Sequence, residues 1–235
     1  MDAVTRPPPG TAKTLEDTSL FAYTLPEWLK TKLGPLLDKA KGRQPFFARV
    51  GAIWPKTSRE YRMLERAYNA MEEAFKKKKR DNGEPYFEHL RASALIALVH
   101  MRIRCASVIC AILLHDAIED CPEEWNYDRI LSEFNAEIAE LVWWVTKPLP
   151  EEGETREDVD RRYHRRLQNA PREAICVKLP ERLHNMITIW GQDKERVFRK
   201  LSETKDFILP LAEKFHVLIH EMEDVIRGVE KRLAA

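Results

Sequence analysis

The stretch Cys105–Asp120, C-A-S-V-I-C-A-I-L-L-H-D-A-I-E-D, limits what this chain can fold into more than any other. Up to Leu114 nearly every residue is apolar or small. A helix that is apolar on all sides has to be buried, so a central helix is expected here. The pattern then runs without a break into His115, Asp116, Glu119 and Asp120. At about 100° per residue, His115 lies one turn from Glu119 and Asp116 one turn from Asp120, and all four fall within an arc of about 140°. Three carboxylates in a last turn meet the negative end of the helix dipole and repel one another. The helix should stop there, because Pro122 pushes Cys121 out of helical geometry. Such a cluster calls for a cation. Imidazole with carboxylate suits a divalent first-row ion. The plainer alternative, a solvated acidic cluster at a surface helix end, fits poorly with the apolar run before it.

The rest of the composition narrows the field by exclusion. With 235 residues, 44% of them hydrophobic, the chain can bury a sizeable core. Its 39 basic and 38 acidic residues nearly cancel, which gives no electrostatic ground for nucleic-acid binding. No run is long and apolar enough to span a bilayer. The N-terminus lacks the basic-then-apolar pattern of a signal peptide, so the expected location is the cytoplasm. Cys105, Cys110, Cys121 and Cys176 form no C-x-x-C pair and sit mainly in apolar surroundings, which predicts buried free thiols. Neither G-x-G-x-x-G nor G-x-x-x-x-G-K-[ST] occurs, so Rossmann and P-loop nucleotide binding are set aside.

Along the chain, residues 1–25 are polar and Pro-punctuated and read as a mobile extension. A short helix is expected within 26–41, so residues 1–41 are assigned to an N-terminal extension and 42–235 to the main domain. Residues 44–55 read as an apolar connector. Ser58 caps a helix running toward Lys79, with Tyr61, Leu64, Tyr68, Met71 and Phe75 as its apolar stripe. Lys76 to Arg80 and the Asp81-Asn82-Gly83 turn follow. Another helix runs from His89 to about His100, ahead of the central one. Asn126 caps a helix carrying Ile130, Phe134, Ile138, Leu141 and Val145. Residues 147–158 read as a surface loop. Helical patterns resume at 159–168, 171–190, 194–201 and 206–233, with Pro171 at a first helical position. No alternating strand pattern appears. The expected fold is all-α, a compact multi-helix bundle.

A metal site needs ligands from outside the central helix. The segments Arg80–His89 and Lys178–Met186 offer them. Taken alone, His89 is a helix-start histidine and Glu181 a surface acid. Together with His115-Asp116 they complete the order His…His-Asp…acid. That order resembles the HD-domain metal phosphohydrolases. More closely, Gly83-Glu84-Pro85-Tyr86 before His89, His115-Asp116-Ala117-Ile118-Glu119-Asp120, Val145-Thr146-Lys147, and Lys178-Leu179 with Arg182-Leu183-His184-Asn185-Met186 resemble the hydrolase domain of the RelA/SpoT family. The resemblance covers roughly residues 58–205. It implies a small stand-alone alarmone hydrolase, because no synthetase domain fits in the remainder.

The resemblance implies one metal ion, usually manganese, held by His89, His115, Asp116 and Glu181. It implies that Glu119 and Asp120 activate the attacking water, that Arg80 packs on a purine ring, and that Asn185 and Thr188 line the nucleoside pocket. The implied substrate is a guanosine 3′-pyrophosphate such as ppGpp, cut to GDP or GTP plus pyrophosphate. Lys147, Lys178 and Arg182 are candidates for neutralising its phosphates. The implied partner is thus a small-molecule nucleotide; neither nucleic acid nor a membrane is expected.

Three residues depart from the family pattern. Glu181 stands where an Asp ligand is usual, Asp81 where Lys follows the base-stacking arginine, and Pro180 where Ala is frequent. Asp81 keeps a second reading open, an HD phosphohydrolase acting on another nucleotide such as an adenosine analogue or NADPH. A third reading, a non-catalytic binding module, sits badly with the intact H-D-x-x-E-D. His216 and His220, without H-E-x-x-H between them, read as core or surface histidines. Trp143-Trp144 is expected in the core.

Overall fold

The structure, a computed structural model, describes residues 25–37, 42–190 and 192–234. Most of the proposed extension, residues 1–24 and 38–41, lies outside the described residues. Among those described, the regular elements are helices, and pairing of extended backbone is limited to two isolated bridges, Lys79 with Pro85 and Trp190 with Gln192. The all-α expectation holds. No helix among the described residues is long and apolar enough to cross a membrane.

The helices run in the order α1 (Glu27–Leu37), α2 (Arg43–Gly51), α3 (Arg59–Ala74), α4 (Phe87–Leu95), α5 (Ala106–Leu114), α6 (Ala117–Asp120), α7 (Tyr127–Glu133), α8 (Ala136–Val145), α9 (Arg156–Gln168), α10 (Arg172–Ile187), α11 (Lys194–Glu203), α12 (Leu209–Phe215) and α13 (Ile219–Leu233). π-helical turns extend α4 over Ile96–His100 and join α11 to α12 over Thr204–Ile208. The central position of α5 follows from its composition. Val108 to Leu114 are all at most 2% exposed, and the helix packs against α3, α4, α8 and α10. Each fully buried Val, Leu or Ile contributes about 1.5–3 kcal/mol, so no other place would hold this segment as well. The second axis is α10, packed against α4, α5, α8, α12 and α13. It continues across Pro180, as α1 does across Pro35.

Caps and breaks account for most differences from the sequence reading. Ser58 caps α3, its hydroxyl accepting from the Tyr61 N–H at 3.1 Å. Asn126 caps α7 as expected, but the segment to Val145 is two helices, because Asn135 accepts from the Ile138 N–H at 2.9 Å and starts α8. Residues 43–51 form a helix rather than a connector, with Phe46, Phe47 and Val50 at helical spacing in the core. Pro171 is the residue before the first turn of α10, not in it. Part of the proposed extension is also core: Leu29, Leu33, Leu36 and Leu37 of α1 are buried, and Trp28 Nε1–H donates to Asp224 of α13 at 2.7 Å. His216 and His220 do not share a helix face, since left-handed residues at His216 and Leu218 separate α12 from α13. Trp143 is 41% exposed, contrary to the core expectation, and the Arg166 guanidinium lies 4.7 Å from its ring; Trp144 packs partly buried. Of the cysteines only Cys110 is buried, and Cys105 is exposed; all four are free.

The break that matters most falls in Cys105–Asp120 itself. The helix stops at Leu114, His115 caps it, and Asp116 at φ −94°, ψ 0° turns the chain into α6. The unbroken helix expected from the pattern would have placed three carboxylates at one negative end. Restarting at Ala117 places Asp116 at the N-cap of the short α6, where an anion is favoured, and so takes one of the three carboxylates off the negative end.

Candidate metal centre and catalytic cleft

Four side chains from three segments converge on one point. His89 comes from the first turn of α4, His115 and Asp116 from the break between α5 and α6, and Glu181 from the middle of α10. A ligand-type atom from each of His89, His115 and Glu181 lies within 4.8 Å of the others. Asp116 Oδ2 is 3.1 Å from His115 Nε2 and 3.9 Å from His89 Nε2. His89, His115 and Glu181 are 2%, 5% and 6% exposed and so withdrawn from bulk water, while Asp116 is half-buried.

The partners of each imidazole determine which nitrogen faces inward. His115 Nδ1–H donates to the Ile112 carbonyl at 2.7 Å, leaving the Nε2 lone pair toward Asp116. Arginine can only donate. Arg80 Nη1 lies 3.2 Å from His184 Nδ1, so that nitrogen is an acceptor. The 2.8 Å contact between His89 Nδ1 and His184 Nδ1 therefore has its proton on His89. Both site histidines present Nε2 inward, each held by a partner on its outer nitrogen, the arrangement that fixes metal-ligating imidazoles. His184 lies within the Lys178–Met186 motif, but nothing in its sequence position signals the 95-residue reach to His89.

The residues present fit a divalent cation. His115 Nε2 and Glu181 Oε2 are buried without a hydrogen bond, although Lys178 Nζ approaches Glu181 Oε2 to 2.9 Å as an ion pair. A lone pair 3.1 Å from a carboxylate oxygen is repulsive unless positive charge lies between them. Without a metal, a proton answers that demand. Burial opposes charge on His115, but Asp116 overcomes it and the ring is pushed up to about 9. His89 moves the other way, well below its usual range, through burial and then the charge of Arg80. Asp116 is held below the ordinary carboxylate range, the His115 charge outweighing burial. Glu181 is likewise held low, with Lys178 and Arg182 outweighing its burial. Its Oε1 accepts from the Asn185 side chain.

The two acids after the break are placed differently. Glu119 reaches solvent, and its Oε1 accepts the Lys147 backbone N–H at 2.6 Å. It lines a cavity of about 610 Å³ with Trp143, Lys147, Leu149 and Arg166. Partial withdrawal from water, then the charge of Asp116, push its carboxyl up to about 7. Asp120 is tied back. The Tyr86 hydroxyl lies 2.8 Å from Asp120 and 2.9 Å from Asp116, so one proton serves two carboxylates. Lys78 donates to the Asp120 main-chain oxygen and stands 3.5 Å from Oδ1. Neither role is signalled by sequence alone: Lys78 is one of a run of lysines, and Tyr86 closes the Gly83–Tyr86 motif ahead of α4.

Arg80 is carried by a tight loop, closed by the Arg80 N–H to Glu84 oxygen bond at 2.9 Å and by left-handed Gly83. Its Nη2 donates to Asn185 Oδ1 at 2.7 Å, so two of the proposed nucleoside contacts meet beside the cluster. The Thr188 hydroxyl is turned back to the His184 carbonyl at 2.8 Å. The three proposed phosphate cations separate. Lys178 lies at the cluster against Glu181. The Lys147 ammonium pairs with Asp160 at the rim. The buried Arg182 guanidinium is turned away to Glu203 at 2.9 Å and Thr204 at 3.4 Å.

The HD-domain family model matches residues 67–217, which holds every residue of this cluster. This chain belongs to the HD-domain family. The HD domain is 30% identical over 152 residues to the guanosine-3′,5′-bis(diphosphate) 3′-pyrophosphohydrolase of Haemophilus influenzae, covering 62% of this chain and 22% of that protein. It is 33% identical over 168 residues to the protein of the same name from Aquifex aeolicus, covering 68% and 23%. It is 31% identical over 164 residues to a probable chloroplastic GTP diphosphokinase of Oryza sativa, covering 66% and 22%. The HD domain thus spans about a fifth of these curated relatives. A solved structure described as a metazoan ortholog of SpoT that hydrolyzes ppGpp superposes with a TM-score of 0.62 at 19% identity, covering 70% of this chain and 94% of that one. The two share a fold.

Proposed function

We propose that this HD domain is a metal-dependent pyrophosphohydrolase that removes the 3′-diphosphate from guanosine 3′,5′-bis(diphosphate)-type nucleotides. The reading is carried by one observation: two inward Nε2 lone pairs and two carboxylates meet at one point, where His115 Nε2 and Glu181 Oε2 are buried without a hydrogen bond, and a carboxyl pushed up to about 7 stands beside it. His89, His115, Asp116 and Glu181 would hold one divalent ion, manganese in this reading. When bound, the ion supplies a lowered water pKa and charge neutralisation at the phosphoryl group.

The chain's own groups do the rest. In the hydrolysis the water oxygen bonds to the phosphorus next to O3′, the O3′–P bond breaks, and O3′ takes up a proton. Glu119, aimed by the Lys147 N–H, accepts the water proton and can return it to O3′. Asp120, fixed through Tyr86 and Lys78, orients that water and steadies Asp116. Lys178 sits where negative charge gathers on the phosphate, while Arg80 and Asn185 offer a planar cation and an amide to the base. The relatives' printed names and the residue-level resemblance support the guanosine substrate.

The deciding experiment measures pyrophosphate release from a panel of nucleotides with and without manganese. Manganese-dependent release from guanosine 3′,5′-bis(diphosphate) supports the reading; its absence, with release from another nucleotide, replaces the substrate. One observation favours that second outcome: Asp81, next to Arg80, brings an acid to the nucleotide side, paired with Arg196 at 3.1 Å.

A further inference from the structure

The metal cluster, the Arg80 loop and the Glu119 edge account for three sides of the site. The fourth is faced by α11. Arg196, Lys200 and Glu203 stand at i, i+4 and i+7 of this helix and so form one stripe. Both ends of the stripe are pinned. Arg196 Nη1 lies 3.1 Å from Asp81, beside Arg80. Glu203 Oε2 lies 2.9 Å from Arg182 Nη1, beside Glu181. Lys200 is therefore aimed at the interval between Arg80 and Glu181, the interval that Asn185 bridges by accepting from the first and donating to the second.

Lys200 is half-buried, and among the described residues its ammonium has neither a hydrogen bond nor an ion pair. Burial and the charge of Arg182, followed by those of Arg80 and Arg196, pull it down to about 8, with Glu181 opposing. An unpaired cation crowded by other cations is a place for an anion. It is not the place of the attacked phosphorus. Glu119 is surrounded by Asp116, Lys147, Lys178 and His115, whereas Lys200 is surrounded by Arg182, Glu181, Arg80 and Arg196. The two lie beside different members of the cluster.

We propose that Lys200 is a specificity-determining residue that binds the uncleaved phosphate group of the nucleotide, the 5′-phosphate chain when the scissile group is on O3′. The naming of that phosphate rests on the proposed 3′-hydrolysis; the cationic subsite itself does not.

The test uses the metal-loaded protein, Lys200→Met, Lys200→Arg and the exposed control Arg199→Met. KM is measured for guanosine 3′-diphosphate 5′-diphosphate and for guanosine 3′-diphosphate, and GDP binding is measured by calorimetry. Lys200→Met should raise the first KM and weaken GDP binding roughly 10- to 100-fold, the range of a lost charge-assisted hydrogen bond, while the second KM moves by less than about threefold. Lys200→Arg should recover most of the loss, and Arg199→Met should match the parent throughout. Equal losses on both substrates would overturn the proposal, since Lys200 would then serve the fold or the metal cluster. GDP binding that is absent in the parent, or unaltered in Lys200→Met, would overturn it too. If the parent cleaves neither substrate yet its GDP affinity depends on Lys200, the hydrolase reading fails and the subsite stands.

Discussion

Asp116 and Glu119 are three residues apart and live in different surroundings. On the Asp116 side His89, His115 and Glu181 are buried, and each group is held by a partner: His115 by the Ile112 carbonyl, His89 by His184, half-buried Asp116 by Tyr86 and Glu181 by Asn185. On the Glu119 side the carboxylate meets water and has one fixed contact, a backbone N–H from the end of α8. On the proposed reading, the difference lets one short turn serve two tasks. Ligands have to be rigid, because misplacing one weakens every bond to the ion. A proton acceptor has to meet solvent and keep an affinity near neutrality. On that reading the break at His115-Asp116 divides the core-facing task from the solvent-facing one.

The sharpest way to break this contrast is to remove a buried ligand. Glu181→Ala should abolish both manganese binding and hydrolysis, whereas Glu181→Asp should keep measurable hydrolysis; calorimetric titration with manganese beside a release assay reads both. An alanine variant that binds and hydrolyses as the parent does would mean that another residue closes the site.

Next in size is the solvent-facing carboxylate. Glu119→Gln should retain manganese affinity and lose about 10²–10⁴-fold in turnover, the usual contribution of a general acid–base group. The same carboxyl should shape the pH profile. Its active form is the carboxylate, so kcat/KM should fall as pH drops below about 7, with a bound cation moving that limb lower. Its stability effect has the opposite sign: because the folded state raises this pKa, the protonated group favours folding at low pH and that gain is lost as pH rises through about 7. Both signatures should vanish in Glu119→Gln. A parent profile flat from pH 5 to 8 would remove Glu119 from the proton-accepting role.

Smaller effects test the partners that hold the buried half. His184→Phe keeps the ring and removes the acceptor for His89 Nδ1–H, and manganese affinity should fall about 10- to 100-fold. Unchanged affinity would show that packing alone orients His89. Smallest is Tyr86→Phe, which removes one hydroxyl shared by Asp116 and Asp120. A net contribution of about 0.5–1.5 kcal/mol for such a bond corresponds to a change of roughly 2- to 13-fold, read as kcat at saturating manganese.

Much of this was legible in the chain itself. The apolar run to Leu114 demanded a buried helix, and 3.6-residue periodicity in the other segments demanded a helical bundle around it. The types and order of His89, His115, Asp116, Glu119, Asp120 and Glu181 were enough to name a candidate metal site and a candidate base, because ligand chemistry depends on residue type. Boundaries were less legible where a cap outweighed periodicity, as at Asn135, and where relief of crowded charge outweighed an unbroken apolar pattern, as at His115-Asp116.

What only the tertiary structure decided was which partner each polar group would take. Lys147, Lys178 and Arg182 are equivalent cations in sequence, yet they end at Asp160, Glu181 and Glu203. The tautomer of His89 depends on His184 and, through it, on Arg80, contacts that span 95 and 104 residues. Helical periodicity is a local property of the backbone and is written in neighbouring residues. A hydrogen-bond partner is selected by whichever helix packs alongside, and that is settled only when the whole core closes.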